Sequence, residues 1–501
     1  MSVIRVSNHN SVHVMVSCEA GIAREIQEFF TFDVPGARFM PSYRNKMWDG
    51  KLRLFTPFNP ILYAGLLDHL AEFARGREYV LEIESSLLDK SEKIDKDELS
   101  LFLSTLDITA AGKPIKPHEH QKDAILKAIN RDRALLLSPT ASGKSLIIYS
   151  LIRWWLQTMQ PHRKILVIVP TISLVSQMLS DFKDYSSSNG WSVSEMCHGI
   201  HGGEDKFTDK RVVVSTWQSI YKLPKSYFDQ FEAVIGDEAH LFKAQSLTGI
   251  MTKLVDCPYR VALTGTLDGT KTNKLVIEGL FGPVYRVTTT KDLMDMNLLS
   301  ALEIECILLT YPDSDCKLIK DFTYQDEIDW LVRDPRRNEM IVNLATSVKG
   351  NTLVLFQFVE KHGKPLFEAI SKATQRKVFY VSGETEAEIR EEIRHITEAE
   401  DNAIIVASYG TFSTGINIRS LRNIIFASPS KSRIRVLQSI GRQLRKSDKK
   451  DKARLYDVAD DLHWKSHKNH TLKHFIERVR IYSEEQFSYR MVKLPIKEER
   501  C

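Results

Sequence analysis

The chain is 501 residues long, too long for one compact core, so two to four domains are expected. Its 43% hydrophobic and 27% charged residues are the balance of a folded protein and exclude a disordered one, and no apolar run approaches the length needed to span a bilayer. The net charge of +5 permits a polyanionic partner without demanding one, so local clustering must carry any argument for nucleic acid.

The N-terminus, MSVIRVSNHN, lacks a secretory apolar core, which places the expected protein in the cytoplasm with no membrane partner. The cysteines at 18, 197, 257, 306, 316 and 501 contain no Cys-x-x-Cys pair, which argues against a disulfide framework and a structural zinc site. Residues Glu19 to Phe30 read as helical. From Gly36 to Phe55 the sequence GARFMPSYRNKMWDGKLRLF combines charge with aromatics. Asp49-Gly50 is a favoured hairpin-turn dipeptide, and Lys51, Leu52, Arg53 and Leu54 alternate with period two, which predicts a hairpin with one basic strand face. Arg38, Arg44 and Lys46 add charge, while Phe39, Tyr43 and Trp48 interleave aromatic rings. That combination can grip phosphates and stack on exposed bases, and a solvated hairpin with its rings in a small core is the plain alternative. Residues 1 to about 85 are expected to form a small α+β domain, followed by a polar connector with a short helix (Glu82 to Gly112). The expected division is 1–111 for an N-terminal domain with linker, 112–300 for a first lobe and 301–501 for a second.

Gln121 opens the helix that leads into Ala134–Ile148, ALLLSPTASGKSLII. An apolar strand there runs into a loop, Ser138, Pro139, Thr140, Ala141, Ser142 and Gly143, and then into a helix beginning Lys144-Ser145. This order suits triphosphate: backbone N–H groups point at phosphate oxygens, Lys144 reaches the β and γ phosphates, and Ser145 holds Mg²⁺. Ser138 stands where the usual pattern has its first glycine. The amide of Gln121 offers a donor and an acceptor together, as adenine requires. Downstream, AVIGDEAH ends an apolar run in Asp237 and Glu238, one carboxylate for Mg²⁺ and one for the attacking water. These two stretches predict nucleoside triphosphate hydrolysis. Further strands are expected at Lys164–Pro170, Arg211–Thr216 and Arg260–Thr264, interleaved with helices, so that Thr171, Thr216, Asp237, Thr264 and Thr266 share the carboxyl rim of one parallel sheet.

A second sheet is expected from Thr352–Phe358, Lys377–Val381, Ala403–Ala407, Asn423–Ala427 and Ala453–Val458. It has no phosphate loop, but QSIGRQLR places Arg442 and Arg445 three apart on one helix face, where two guanidiniums can stabilise transition-state charge.

Gln121, SPTASGKS, VPTISLVSQ, VSTWQS, DEAH, LTGTL, LFQF, STGINI and QSIGRQLR occur in an order that resembles the superfamily-two DEAH-box-type helicases over about residues 113–460. The resemblance implies an α/β fold of two RecA-like parallel-sheet lobes in tandem after the small α+β domain, with ATP between them. It implies that Thr264 and Thr266 couple hydrolysis to movement, that His240 links the water-activating motif to the second lobe, and that Thr171, Thr216 and Thr411 contact the nucleic-acid backbone. Gly415, Gln438, Arg442 and Arg445 would face the nucleotide. His118 and Asn417 depart from the arginine and aspartate of many relatives, which leaves adenine selectivity and the nucleotide contact of Asn417 open. With its short basic N-terminal domain the whole chain resembles the recombination and repair helicases of T-even bacteriophages. That implies that the N-terminal domain, 1–111, is DNA-binding, with ATP and Mg²⁺ as cofactors, and branched or duplex DNA (forks, Holliday junctions, R-loops with an RNA–DNA hybrid) as partner of a monomer in the host-cell cytoplasm. An RNA helicase, or an ATP-gated annealing clamp with little turnover, are the alternatives.

Lys446 to Arg454 reads as a basic loop, balanced between solvation and DNA contact. His463, His467, His470 and His474 recur at helical spacing, but no carboxylate or cysteine pattern supports a metal, so a polar or lobe-packing helix face is expected.

Overall fold

The computed structural model describes residues 2–88, 92–201, 203–241, 244–267, 271–411, 418, 420–428, 432, 436–437, 439–441, 444 and 452–497. Two compact units divide the chain, residues 1–288 apart from the loop tip 139–141, and residues 289–501. Among the described residues no helix is long and apolar enough to cross a membrane.

The first unit begins with β1 (Val3–Asn8), β2 (His13–Ser17), β3 (Thr31–Asp33), β4 (Lys51–Arg53), β5 (Ile61–Tyr63) and β6 (Val80–Ile83). Four of these form a sheet in the order β5-β2-β1-β6. Helix Ala20–Phe29 buries Ile22, Ala23 and Ile26, one stripe at helical spacing, as its sequence predicts. The expected hairpin is corrected. β3 and β4 do pair antiparallel, Phe32 opposite Leu52, but residues 34–50 join them and contain a 3₁₀ turn (Ala37–Phe39) and a short helix (Pro41–Arg44). Pro41 sets the first helical φ, and Gly50, at φ +78°, turns the chain back into β4. Asp49-Gly50 therefore closes a long loop instead of making a two-residue turn.

The N-terminal sheet shares one apolar core with the lobe that follows: Ile4, Val6, Val14, Ile26 and Leu66 are continuous with Leu135, Leu166, Val234 and Leu280. The approach is closest at Gly65, where a Cβ would lie 2.1 Å from the Glu278 carbonyl on helix Lys271–Phe281. His69 pairs with Glu278 at 3.1 Å beside it. A two-residue pair, β7 (Thr109–Ala110) and β8 (Lys113–Pro114), precedes the main sheet. Helix Lys96–Ser104 packs Leu99, Phe102 and Leu103 into a second core with Ile147, Leu151 and Val167.

The main sheet of this unit comprises β9 (Arg133–Leu137), β10 (Lys164–Val169), β11 (Cys197–Ile200), β12 (Val212–Thr216), β13 (Phe231–Asp237), β14 (Tyr259–Thr264) and β15 (Val284–Arg286). It is parallel throughout, in the order β11-β12-β10-β13-β14-β9-β15. Its central strands are near-continuous apolar runs because helices cover both faces.

The second unit repeats the plan with β16 (Ala301–Thr310), β17 (Thr352–Phe356), β18 (Val378–Val381), β19 (Ile404–Ser408), β20 (Asn423–Phe426), β21 (Lys452–Asp461) and β22 (Tyr489–Pro495). These too are parallel, in the order β18-β19-β17-β20-β21-β16-β22. Two tandem parallel-sheet lobes after an N-terminal α+β region are the architecture the sequence predicts. Buried ion pairs fasten helices to β21: Arg337 Nε meets Asp460 Oδ1 at 2.7 Å and Arg478 Nη2 meets Asp457 Oδ1 at 2.8 Å. Such charges are tolerated in the interior only when paired this closely.

The histidine stripe is a further correction. Helix His470–Glu484 contains only His470 and His474, whereas His463 and His467 lie in a turn before it, with His463 on Asp461 at 2.6 Å. Asn469 caps off that helix, so the four rings share no single face.

Candidate nucleotide site and nucleic-acid surface

β9 ends at Leu137, and the chain enters the loop at Ser138, which is fully buried with its Oγ 2.6 Å from Ser142 Oγ. Serine replaces the expected first glycine by turning its hydroxyl inward onto the loop. Pro139 and Thr140 follow, Ala141 takes φ +68°, and Gly143, at φ +82°, leads into helix Lys144–Thr158. Gly143 is required twice over, because a Cβ there would also lie 2.2 Å from Gln121 Nε2. Gln121 is buried and donates to the Ser142 carbonyl at 2.9 Å while accepting from the His118 N–H at 2.8 Å. Its amide thus braces the loop and retains one N–H and one lone pair for another partner. His120 Nε2 lies 3.3 Å from the same Ser142 carbonyl, and burial lowers the pKa of its ring.

Across the sheet rim, Lys144 Nζ meets Glu238 Oε1 at 3.0 Å. Asp237 ends β13, and its buried carboxyl is raised above the usual range, first by desolvation and then by the Glu238 charge, with Lys144 opposing. Glu238 has φ +49°, an uncommon conformation for a residue with a Cβ, and its N–H donates to Asp237 Oδ1 at 3.0 Å. His240 Nδ1 lies 2.6 Å from Thr264 Oγ1 and 3.5 Å from Glu238 Oε2. Thr264 donates its own proton to the Thr266 carbonyl at 2.8 Å, so Nδ1 of His240 must carry the proton it shares with Thr264. Ser145 Oγ is 2.8 Å from Tyr185 OH.

The donor set suits Mg²⁺ and triphosphate. A hydroxyl and a carboxylate are hard oxygen ligands, Lys144 is a mobile cation, and the first N–H groups of helix Lys144–Thr158 lie beside a glycine with no Cβ in the way.

The sheet registers set Thr216 beside Val169 and Gly236 beside Ile168, so Thr171, Thr216, Asp237 and Thr264 lie along one edge. Thr171 caps helix Ile172–Tyr185 and accepts from the Leu174 N–H. Thr216 is buried, with Oγ1 on Ser219 at 2.9 Å, and in the second unit Thr411 is buried against Ser408 at 2.7 Å. Gly415, Gln438, Arg442 and Arg445 lie outside the described residues, as do Asn417 and residues 445–451 of the basic loop. The described end of that stretch, Lys452 and Arg454, pairs with Glu303.

Arg44 and Lys46 in the loop between β3 and β4, and Lys51 at the start of β4, are exposed and have no carboxylate partner among the described residues. Arg53 pairs with Asp49 at 2.5 Å, which holds the aspartate carboxyl down at about 2. Trp48 is half-buried and donates its indole N–H to the Lys51 carbonyl at 2.9 Å. Phe39, Met47 and Phe58 stand exposed in the same region, at 63%, 80% and 102%, more apolar surface than a solvated loop needs.

Residues 114–269 match the family model described as the res subunit of type III restriction enzymes, and residues 336–447 match the helicase conserved C-terminal domain. Residues 3–84 match the N-terminal model of the DNA helicase UvsW. The ATP-dependent DNA helicase uvsW of Enterobacteria phage T4 is 36% identical over 501 residues, covering 97% of this chain and 99% of that one. The chain belongs to the UvsW helicase family. The crystal structure of T4 UvsW superposes with a TM-score of 0.53 at 36% identity, over 99% of this UvsW-family chain and 100% of that one. A DNA 3'-5' translocase, XPB2 of Sulfurisphaera tokodaii, is 21% identical over 401 residues, 74% of this chain and 86% of its own.

The site of this UvsW-family chain includes residues that the sequence pattern does not single out. Tyr185 touches Ser145 from 40 positions away, and Asp181, one helical turn before it, acts on the Asp237 carboxyl. Neither belongs to a recognisable motif. Only the stripe of Val175, Met178 and Phe182 along helix Ile172–Tyr185 could have indicated which side of that helix faces inward.

Proposed function

We infer that this chain is an ATP-hydrolysing DNA helicase and translocase of recombination and repair, and that it works with Mg²⁺ on branched DNA: forks, four-way junctions and RNA-containing loops. Activity as a monomer in the host-cell cytoplasm, with 1–111 engaging DNA and 112–300 and 301–501 forming the motor, belongs to the same proposal. The observation that carries the hydrolytic reading is the cluster of Lys144, Ser145, Asp237 and Glu238 at the carboxyl rim of one parallel sheet.

Ser145 and Asp237 would hold Mg²⁺, which would supply positive charge against the negative charge that develops on the phosphates. Lys144 exchanges Glu238 for a phosphate oxygen. Glu238, released, orients the attacking water and accepts its proton. His240 donates its Nδ1 proton to Thr264 and lies 3.5 Å from Glu238 Oε2, so a change in the charge of the carboxylate is felt at the Thr264–Thr266 turn. Gln121 fixes the Ser142 carbonyl and leaves its second N–H for adenine. Arg442, Arg445, Gln438 and Gly415 complete the nucleotide contacts by their place in the motif. On the nucleic-acid side the proposal assigns Thr171, Thr216 and Thr411 to the strand backbone, and Arg44, Lys46, Trp48, Lys51 and Arg53 to the branch point.

The test is the ATPase rate with single strands, linear duplex, fork, four-way junction, RNA duplex and an RNA-containing loop. Strongest stimulation by forks and junctions supports the proposal. Strongest stimulation by RNA duplex would make the chain an RNA helicase, and strand binding with negligible turnover on every substrate would make it a clamp.

A further inference from the structure

Helix Ile172–Tyr185 connects two functional features of the first unit. Its N-cap is Thr171, the candidate strand contact, and its last residue, Tyr185, reaches Ser145 Oγ at 2.8 Å. Fourteen residues of helix span about 20 Å. The helix is not free to roll, because Val175, Met178 and Phe182 are buried. Tyr149, fully buried on the phosphate-loop helix, packs its ring against Phe182 and Tyr185 with centroids 5.8 Å and 5.5 Å away. Asp181 lies one turn before Tyr185, on the same helix face.

A serine hydroxyl that gives one lone pair to a metal keeps its proton and a second lone pair, and a fixed partner for that proton sets its rotation. The phenol oxygen of Tyr185 lies where that proton can be received, so the lone pair of Ser145 stays turned toward the ligand. Partners of this kind, one step removed from the metal, typically change affinity by about 10- to 100-fold when they are removed.

We propose that Tyr185 is a positioning residue for the Ser145 hydroxyl, and that helix Ile172–Tyr185 transmits strand contact at Thr171 to that hydroxyl. The proposal rests on reading Ser145 as a Mg²⁺ ligand and Thr171 as a strand contact. Any shift of the helix along its axis on strand binding moves the Tyr185 oxygen relative to Ser145. Strand binding and Mg²⁺-dependent nucleotide binding are therefore linked, each changing the other by the same factor.

The experiment uses the full chain, unmodified and as Tyr185→Phe, Ser145→Ala and Thr171→Ala. Binding of a fluorescent ADP analogue is measured with excess Mg²⁺ and with EDTA, each with and without a saturating single strand. Tyr185→Phe should lose about tenfold of the gain in affinity that Mg²⁺ confers, with binding in EDTA and the melting temperature unchanged. Its affinity for Mg²⁺-nucleotide should also no longer respond to the strand, and Thr171→Ala should lose that response while keeping the Mg²⁺ gain. If Ser145→Ala loses the Mg²⁺ gain and Tyr185→Phe keeps it, the inference fails and the reading of Ser145 stands. If Ser145→Ala keeps the gain, that reading fails and takes the inference with it. An equal loss in EDTA for Tyr185→Phe would reduce the tyrosine to packing, and an intact strand response would overturn the transmission step.

Discussion

Lys144 and Glu238 form an ion pair, Nζ to Oε1 at 3.0 Å, with side chains only 11% and 17% exposed. At that burial the attraction is stronger than between surface charges, so the lysine neutralises the carboxylate that the proposed mechanism later asks to take a proton. In the proposed mechanism Glu238 is held in check until phosphate oxygens compete for the ammonium. Lys144→Ala should abolish hydrolysis while leaving DNA binding largely intact. Glu238→Gln should bind ATP and stall, with turnover lower by roughly 10²- to 10⁴-fold, the range for loss of a general base. ATPase assays beside nucleotide and DNA titrations check both, and normal turnover by Glu238→Gln would remove the water-activating role.

The arginines at 442 and 445 act on the transition state in the proposed mechanism, so substitution should spare ATP binding. Arg442→Ala and Arg445→Ala should each slow turnover by an amount approaching about 10³-fold. Nucleotide affinity and turnover measured separately decide it: unchanged turnover in both variants would discard the arginine-finger model.

The phosphate loop and the paired carboxylates were legible because their chemistry is local. An apolar strand that ends in Ser138, or in Asp237 and Glu238, announces itself within a few residues. The edge strands β11 and β22 were not, although β18, also at an edge, was. β11 contains His198 and Gly199, and β22 is almost wholly exposed, so neither shows the apolar run of a central strand. Asp49-Gly50 misled because the local turn signal was real, yet Pro41–Arg44 had already diverted the chain into a longer loop. The Ser145–Tyr185 contact has no sequence signature, since it depends on how two helices pack across 40 positions of chain.

His362 predicts an acid-sensitive fold. Its ring is fully buried, and desolvation, helped by the Arg337 charge, pushes its pKa down to about 3. His362 Nε2 lies 3.2 Å from Asn338 Oδ1, which can only accept, so in the neutral ring Nδ1 accepts from the Ser428 hydroxyl at 2.9 Å, and that hydroxyl in turn accepts from the Gln357 N–H at 3.1 Å. Because the folded pKa lies below the unfolded value, the unfolded chain binds more protons, and stability falls as pH drops below about 6.5. The loss should reach about 2 kcal/mol at pH 5. Denaturant unfolding of the native chain and His362→Gln at pH 7 and pH 5 measures it. The variant should lose less stability between the two pH values, and equal losses would mean that other groups govern acid sensitivity.

The loop between β3 and β4 should give preference for branched over linear DNA. Arg44, Lys46 and Lys51 are exposed without carboxylate partners among the described residues, whereas Arg53 is engaged by Asp49. Removing one cation that neutralises a phosphate lowers the slope of log affinity against log salt by about one unit, so replacing Arg44, Lys46 and Lys51 with Gln should flatten fork binding by about three. Adding Arg53→Gln should flatten the slope by less than a full further unit, because the Asp49 carboxylate already offsets part of that guanidinium's charge at the branch point. Trp48 acts differently. Its indole N–H is tied to the Lys51 carbonyl, which holds the half-buried ring in place, and stacking on an uncovered base is worth about 1–3 kcal/mol. Linear duplex offers little such surface, so Trp48→Ala should weaken fork binding more than linear binding, with an unchanged salt slope. Fork and linear-duplex affinities over a salt series, for the three variants beside the unmodified chain, make the comparison. Equal losses on the two substrates for Trp48→Ala, with an unaltered slope for the charge variant, would leave this loop a solvated surface with no part in choosing the substrate.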